Sequence, residues 1–383
     1  PLGEAVHLCH AGGVRARFPA ASRNAKLKEF MPLSKSRFTA GLQCDRQLWW
    51  RTHEPKAPEL TPSPSLQARF DRGHLVGQRA REFVPGGVLI DAPHRDFGVR
   101  LASTRRAIER GAGVIYEAAF SAGQVFVATD ILERTPGGWQ LTEVKSSTGL
   151  KPEHIPDAAL QMHVLRLAGL AIERAFVMHL NPDCVYPHLE NLFIRDDVTA
   201  EAEGLQSSIA TEIPRQLAML RGALPEVPIG PHCEQPYECP FKPRCWPVFP
   251  ADHISTLFHV GQKWWDLAAR GITSIGELPD EFALRPPAAR QVRALREGHA
   301  IFESSLAGAL ARLSRPIAVI DFETVGLAIP VWDGCRPFEP VPVQFSAHVQ
   351  RASGGWEHHE WLAEGAHDPR AELVSRLSAA CRG

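Results

Sequence analysis

The stretch from Tyr116 to Gln161 constrains this chain most. An apolar run, Val125-Phe126-Val127-Ala128-Thr129, leads to Asp130, and a second β-rich run passes through Leu141 into Glu143-Val144-Lys145. Thr135-Pro136-Gly137-Gly138 lies between them. Gly and Pro supply the turn dihedrals that β-branched and apolar neighbours avoid, so the pattern predicts an antiparallel hairpin. Strand side chains alternate faces, which puts Glu143 and Lys145 on one side and turns Val144 into the core. With Asp130 opposite them, two carboxylates and an ammonium converge. Hard oxygen ligands of this kind suit Mg²⁺ or Mn²⁺, which can activate water and neutralise the charge developing on a phosphodiester. Lys145 is expected to orient or deprotonate that water, or to steady the pentavalent phosphate. The plainer alternative is a solvated Glu-Lys pair on an exposed strand.

The wider sequence sets bounds on this reading. A length of 383 residues is compatible with two or three domains at roughly 100 to 200 residues each. The formal net charge is -1, so any nucleic-acid surface has to be a local basic patch. No apolar run approaches the roughly 18 residues a membrane span needs, and the N-terminus lacks an uninterrupted apolar signal core. A cytoplasmic protein with no membrane partner is expected. Eight cysteines are too few for a disulfide framework in a chain this long, and their clustering favours metal or cluster ligation.

Residues 1–30 carry scattered basic residues without periodicity, and Met31 then opens Met-Pro-Leu-Ser-Lys-Ser-Arg-Phe. Residues 1–30 are therefore expected to be a disordered N-terminal extension. Ser34 to Trp50 reads as one helix capped by Ser34 or Ser36, with Cys44 inside it. A Pro-rich loop over 55–64 follows, then a helix over 66–83 containing His74 between Gly73 and Gly77. Residues 155–170 read as a helix bearing Asp157 and Gln161, residues 175–180 as a buried strand, and residues 199–220 as a long helix. Residues 251–312 form a separate helical piece. Within it, Leu267 to Leu278 around Gly271 resembles the helix-hairpin-helix units that grip phosphate through backbone amides, although a generic helical linker fits equally well. After Pro316, the run Ile317 to Thr324 reads as a buried strand ending in Asp321-Phe322-Glu323. Its paired carboxylates are a second metal-binding signature, with ordinary capping acids as the alternative.

Cys233, Cys239 and Cys245 stand at even spacing in a proline-studded loop that cannot be a core element. Three thiols leave a four-thiolate site one short, and Cys44 is the natural fourth ligand. Such a set fits a [4Fe-4S] cluster or Zn²⁺. Zinc sites more often place paired cysteines two to four residues apart, and the wider gaps here favour the cluster. Binding by Cys44 and the distant triplet would close a long loop, a mainly structural role.

Taken together, residues 31–250 resemble the RecB-like branch of the PD-(D/E)xK nuclease superfamily that carries an iron-sulfur cluster and includes CRISPR-adaptation exonucleases. The matching positions are Asp130, Glu143-Val144-Lys145, the helical Gln161, and Cys44, Cys233, Cys239 and Cys245. In that group a histidine often follows a helical Gly-x-x-Val. Gly77 occupies that position here, and His74 could substitute from three residues earlier. Residues 313–383 resemble the start of a DEDD-type exonuclease with the ribonuclease H fold, through Asp321-Phe322-Glu323-Thr324. Such a site needs two later aspartates, and the sequence given stops at Gly383, soon after Asp368-Pro369-Arg370, so that unit is expected to be incomplete. The wording around Asp333-Gly334 and Gln344 to His348 is also that of a bacterial two-domain family, largely of unknown function.

The resemblance implies an α/β architecture: a restriction-endonuclease-like mixed sheet flanked by helices, a small helical module, and a truncated ribonuclease H-like domain. It implies a metal-dependent DNA exonuclease in repair, CRISPR adaptation or phage defence. The substrate would be single-stranded DNA or duplex ends, with a helicase or CRISPR-adaptation proteins as partners. On this reading Asp130 and Glu143 hold Mg²⁺ or Mn²⁺, Lys145 assists the water, and Gln161 positions a ligand. Glu117 is an outer carboxylate, and the cofactor is a [4Fe-4S] cluster. The rival expectation is a nucleic-acid-binding scaffold with vestigial sites, catalysis residing in the C-terminal exonuclease unit of a longer parent chain.

Overall fold

The structure, a computed structural model, describes residues 32–93 and 96–382. The expected N-terminal extension over 1–30 lies outside the described residues. Two compact units emerge, and neither is continuous in sequence. Of the described residues, the first takes 32–42, 64–180 and 193–223, and the second takes 43–63, 181–192 and 224–382. The 224–250 loop thus groups with the residues that follow it, together with the helix after Cys44.

The first unit is a seven-stranded mixed sheet with helices against it. Its strands are β1 (Leu33–Ser34), β2 (Val88–Leu89), β3 (Val114–Ala122), β4 (Val125–Arg134), β5 (Trp139–Lys145), β6 (Ile172–Leu180) and β7 (Phe193–Asp197). They lie in the order β2-β3-β4-β5-β6-β7, with β1 pairing alongside β4. β3, β4 and β5 form an antiparallel meander, and the β4–β5 connection is the expected turn over residues 135–138. β5 and β6 are parallel, which requires a crossover, and α5 (His154–Leu167) supplies it. Pro156 sits in the first turn of α5, where the amide it lacks has no intrahelical partner to lose. This helix is buried on most sides, through Ala158, Ala159, Leu160, Gln161, Met162, Val164 and Leu165.

The helix expected over 34–50 is broken. α1 (Lys35–Gln43) and α2 (Asp45–His53) flank Cys44, whose backbone is extended at φ -163° and ψ 125°. Thr39, Gly41, Cys44 and Asp45 are weak helix formers, and a tertiary contact fixes the break beside them: Gln43 donates to the carbonyls of His232 and Tyr237, 2.7 Å each. α3 (Pro64–Phe83) and α4 (Phe97–Glu109) precede the sheet's long strands. The expected 199–220 helix is divided at Leu205 into α6 (Thr199–Gly204) and α7 (Gln206–Met219).

In the second unit, α8 (Lys242–Cys245) is one short turn within the cysteine loop. α9 (Lys263–Ala269) and α10 (Pro286–Glu297) share a core of Ile254, Leu257, Trp264, Leu267, Ile275 and Val292. After α9, Gly271 turns with φ +85°, and a single 3₁₀ turn over Ile275–Glu277 follows, closed by a Ser274/Glu277 capping box. A two-helix hairpin is therefore not formed at Leu267–Leu278. α11 (Leu306–Leu310) leads to a three-stranded antiparallel sheet of β8 (Ile317–Gly326), β9 (Pro340–Gln350) and β10 (Trp356–Leu362), ordered β10-β9-β8. α12 (Arg370–Cys381) covers one face of β9 through Leu373 against Phe345, Ala347 and Val349. β8, expected to be buried, is exposed along most of its length. It has one neighbouring strand, so its apolar residues lack a covering layer among the described residues. No helix among the described residues is long and apolar enough to cross a membrane.

The β4–β5 turn offers a direct test of the hairpin. A Cβ added to Gly138 would meet the backbone oxygen of Ala171 at 2.2 Å, and the Trp139 amide donates to that same oxygen at 2.8 Å. Gly138→Ala should cost about 1–3 kcal/mol in urea unfolding. Gly149→Ala, with nothing within 4 Å of the added carbon, should stay within about 0.5 kcal/mol of wild type.

Candidate metal centre and thiol pocket

The first site is created by a fork in the sheet. β4 and β5 pair from Arg134/Trp139 only as far as Ile131/Thr142. Beyond that point β5 continues against β6, from Glu143 opposite Val177 to Lys145 opposite His179. The Val144 amide, no longer paired with β4 backbone, donates to Asp130 Oδ2 at 2.7 Å. Glu143 lies beside this fork and is 3% exposed. Its Oε1 accepts from Lys35 Nζ at 2.6 Å and lies 2.9 Å from Lys145 Nζ. Its Oε2 accepts from Gln161 Nε2 at 2.7 Å. Lys145 also pairs with Asp157, one helical turn before Gln161 on α5. Buried Gln161 Oε1 has no hydrogen-bond partner among the described residues.

Glu117 approaches from β3. The β3–β4 register passes from Tyr116/Ile131 to Ala118/Thr129, and Glu117 takes φ +58°. A non-glycine residue in the left-handed region of a strand stores backbone strain and re-aims its side chain, which is the usual role of a bulge beside a functional site. Its carboxylate lies 3.3 Å from the buried Arg100 guanidinium.

The electrostatics are uneven. Burial, reinforced by the neighbouring Glu143, pushes the Asp130 carboxyl up to about 8, with Lys35 offsetting only part of the effect. Burial works against ionised Glu143 as well, but Lys145 and Lys35 outweigh it and hold its acidity below the usual carboxylate range. Burial would also lower Lys145, yet Glu143 and Asp157 outweigh it and keep the ammonium protonated well above its usual range. The site thus holds one carboxylate short of counter-charge and one amide oxygen short of a donor. That hard oxygen set fits a hydrated Mg²⁺ or Mn²⁺.

Asp130, Glu143, Lys145 and Gln161 are therefore brought together. Lys35 and Asp157 join them without having been singled out from sequence. Asp157 had a usable signal, its i,i+4 spacing from Gln161. Lys35 had none, being 108 residues from its partner. His74 is exposed on α3. Asp321 and Glu323 lie exposed on β8, opposite Ser346 and Gln344.

The second site lies wholly in the second unit. Cys44, Cys233, Cys239 and Cys245 line one pocket with Trp50 and Ile229. The loop is shaped locally by the Cys239 amide donating to the Cys233 carbonyl at 2.9 Å, and Phe241 is fully buried against Trp50 and Ala57. Arg244 donates to Glu54 at 2.7 Å and to Glu59 at 2.6 and 2.9 Å. Burial pushes Cys239 up to about 11 and also raises Cys44 and Cys245. As placed, no group of three or more His, Cys, Asp or Glu among the described residues could hold a metal ion. The donor chemistry, four soft sulfurs in a partly apolar pocket, is that of a thiolate-bound iron or zinc centre.

Among known proteins, residues 318–383 match the family model "Domain of unknown function (DUF2779)". No curated protein matches the chain. The crystal structure of SSO0001 is similar at 13% identity and TM-score 0.32, covering 58% of this chain and 89% of that one. An alkaline exonuclease (LHK-Exo) from Laribacter hongkongensis is similar at 15% identity and TM-score 0.24, covering 50% of this chain and 88% of that one. At these identities and scores neither likeness bears on the chemistry of the site.

The raised Asp130 pKa has a signed consequence for stability. An acid whose folded pKa exceeds its unfolded value destabilises the fold progressively as pH rises between the two, here from the ordinary 3.8 to about 8. Asp130→Asn should therefore be stabilised relative to wild type by a margin that widens from pH 4 to about 8 and then levels off. Melting temperatures measured in EDTA across that range check this, and a margin independent of pH would contradict it.

Proposed function

We propose that the chain is a divalent-metal-dependent phosphodiesterase acting on DNA ends, an exonuclease of the RecB-like, restriction-endonuclease-like type. The observation that carries this reading is the buried pair Asp130 and Glu143, faced by two ammonium groups and left with an unbalanced carboxylate. Buried like charges of this kind are costly to a fold and concentrate at sites that bind cations or substrate.

Asp130 and Glu143 are the proposed ligands. What a bound Mg²⁺ or Mn²⁺ supplies there is neutralisation of charge on the phosphoryl group and a more acidic water. Gln161 orients Glu143 through its amide nitrogen, and its partnerless oxygen is suited to accept from a water held at the site. Lys145, locked between Glu143 and Asp157 and kept protonated, is suited to stabilise developing negative charge rather than to abstract a proton. Glu117, strained and next to Asp130 in the register, acts as an outer carboxylate.

The four thiols are proposed to hold a [4Fe-4S] cluster with a structural role, tying Cys44 to a loop nearly 190 residues away. A cytoplasmic role in repair, CRISPR adaptation or phage defence, with a helicase or CRISPR-adaptation proteins as partners, accords with this activity.

Two experiments test these assignments. With Mn²⁺ and end-labelled single-stranded or duplex DNA, wild type should degrade substrate, and Asp130→Ala, Glu143→Ala or Lys145→Ala should each lose at least about a hundredfold in rate while DNA binding in a gel shift stays within a few fold. Cleavage by Lys145→Ala at the wild-type rate would refute the site. Anaerobically purified protein should be brown, absorb near 400 nm, and carry about four irons. Colourless protein with one zinc would reverse the cluster assignment.

A further inference from the structure

Lys35 is delivered to the site by β1 and the first turn of α1, whose Leu33 and Phe38 anchor it in the core. β1 is two residues long, yet Leu33 and Ser34 are in register with Val125 and Phe126 of β4. The Leu33 amide donates to the Gln124 carbonyl at 2.9 Å, and its side chain is 1% exposed. One turn into α1, the Phe38 carbonyl accepts from Gln216 at 3.1 Å. The backbone on both sides of Lys35 is therefore clamped, and the clamp aims its ammonium at Glu143 Oε1, 2.6 Å away.

Two ammonium groups share that one oxygen, and their circumstances differ. Lys145 has a second carboxylate in Asp157. Lys35 bonds Glu143 alone among the described residues, and its side chain is the more exposed of the two, 27% against 21%. The other oxygen of Glu143 is committed to Gln161. A divalent cation approaching Glu143 through Oε1 thus meets two ammonium groups, of which Lys145 makes two direct carboxylate contacts and Lys35 one, with Asp157 and Asp130 attracting Lys35 only at longer range.

We propose that Lys35 is a built-in counter-ion that competes with the divalent metal for Glu143 and, once displaced, gives its ammonium to a phosphate of the substrate. This rests on the reading of the site as a metal-dependent phosphodiesterase. Two occupants of one oxygen oppose each other through a coupling free energy. A flexible ammonium released within reach of the same pocket is a suitable partner for a phosphate oxygen.

The test is Mn²⁺ binding in the absence of DNA, followed by electron paramagnetic resonance of the free ion, on the whole chain. Lys35→Met should bind Mn²⁺ on the order of tenfold more tightly than wild type. Lys35→Gln, which keeps a polar contact to Glu143, should shift the same way, and Lys35→Arg, which keeps the charge, should bind like wild type. At saturating Mn²⁺, Lys35→Met should raise KM for a labelled oligonucleotide by about tenfold, with Lys35→Arg recovering most of the loss. Wild type that binds Mn²⁺ in a Glu143-dependent way, with Lys35→Met and Lys35→Gln no tighter, leaves the metal centre standing and overturns the counter-ion. An unchanged KM overturns the phosphate contact. Wild type that binds no Mn²⁺ at all removes the metal centre and this proposal with it.

Discussion

Glu143 is 3% exposed and still favours its ionised form, and the architecture of the first unit follows from that demand. A carboxylate cannot be buried ionised unless its oxygens are met by donors, and losing one partner of such a buried pair typically costs about 3–5 kcal/mol. Three separate elements answer the need: β1 with α1 brings Lys35, β5 brings Lys145, and α5 brings Gln161. The parallel β5–β6 pairing forces a crossover helix, and the crossover helix is what carries the amide to the carboxylate. The sheet topology and the site are consequences of one arrangement.

The same arrangement leaves Asp130 unsatisfied. Its one backbone donor, Val144, and the distant influence of Lys35 do not offset its burial and the repulsion from Glu143. Evolution toward stability alone would replace it with a neutral side chain; retaining a carboxylate there makes sense when something outside the chain supplies the missing positive charge. The strained backbone of Glu117 points the same way, since the sheet would be more regular without it.

The hairpin and the shared face of Glu143 and Lys145 were legible in sequence because strand period and turn chemistry are local properties. Gln161 was singled out by the family resemblance rather than by any local pattern, and the crossover helix α5 is what carries it back to the sheet. Lys35 was hidden for the opposite reason: a two-residue strand has no periodicity, and its partner lies 108 residues on. The break at Cys44 was only weakly signalled, by Gly41 and the low helix propensity of Cys44 and Asp45, because the bonding of Gln43 to carbonyls of the cysteine loop that fixes it is tertiary. For β8, an apolar run announced a strand correctly but could not say whether any layer covers it. Burial belongs to the partner, and periodicity describes only the strand itself.

The two candidate sites also differ in kind, and the difference keeps their chemistry apart. The fork between β4 and β5 offers carboxylates and an amide oxygen, hard donors that select Mg²⁺ or Mn²⁺. The pocket around Cys44 offers sulfur in surroundings whose burial raises the thiols, so the ligands deprotonate only when a metal with strong affinity for thiolate replaces the proton. Magnesium cannot do that, and iron or zinc can. On the proposed function, an ion exchanging at the carboxylates would therefore have no reason to enter the thiol pocket, and a centre assembled on the thiols would be insulated by ligand softness from that exchange.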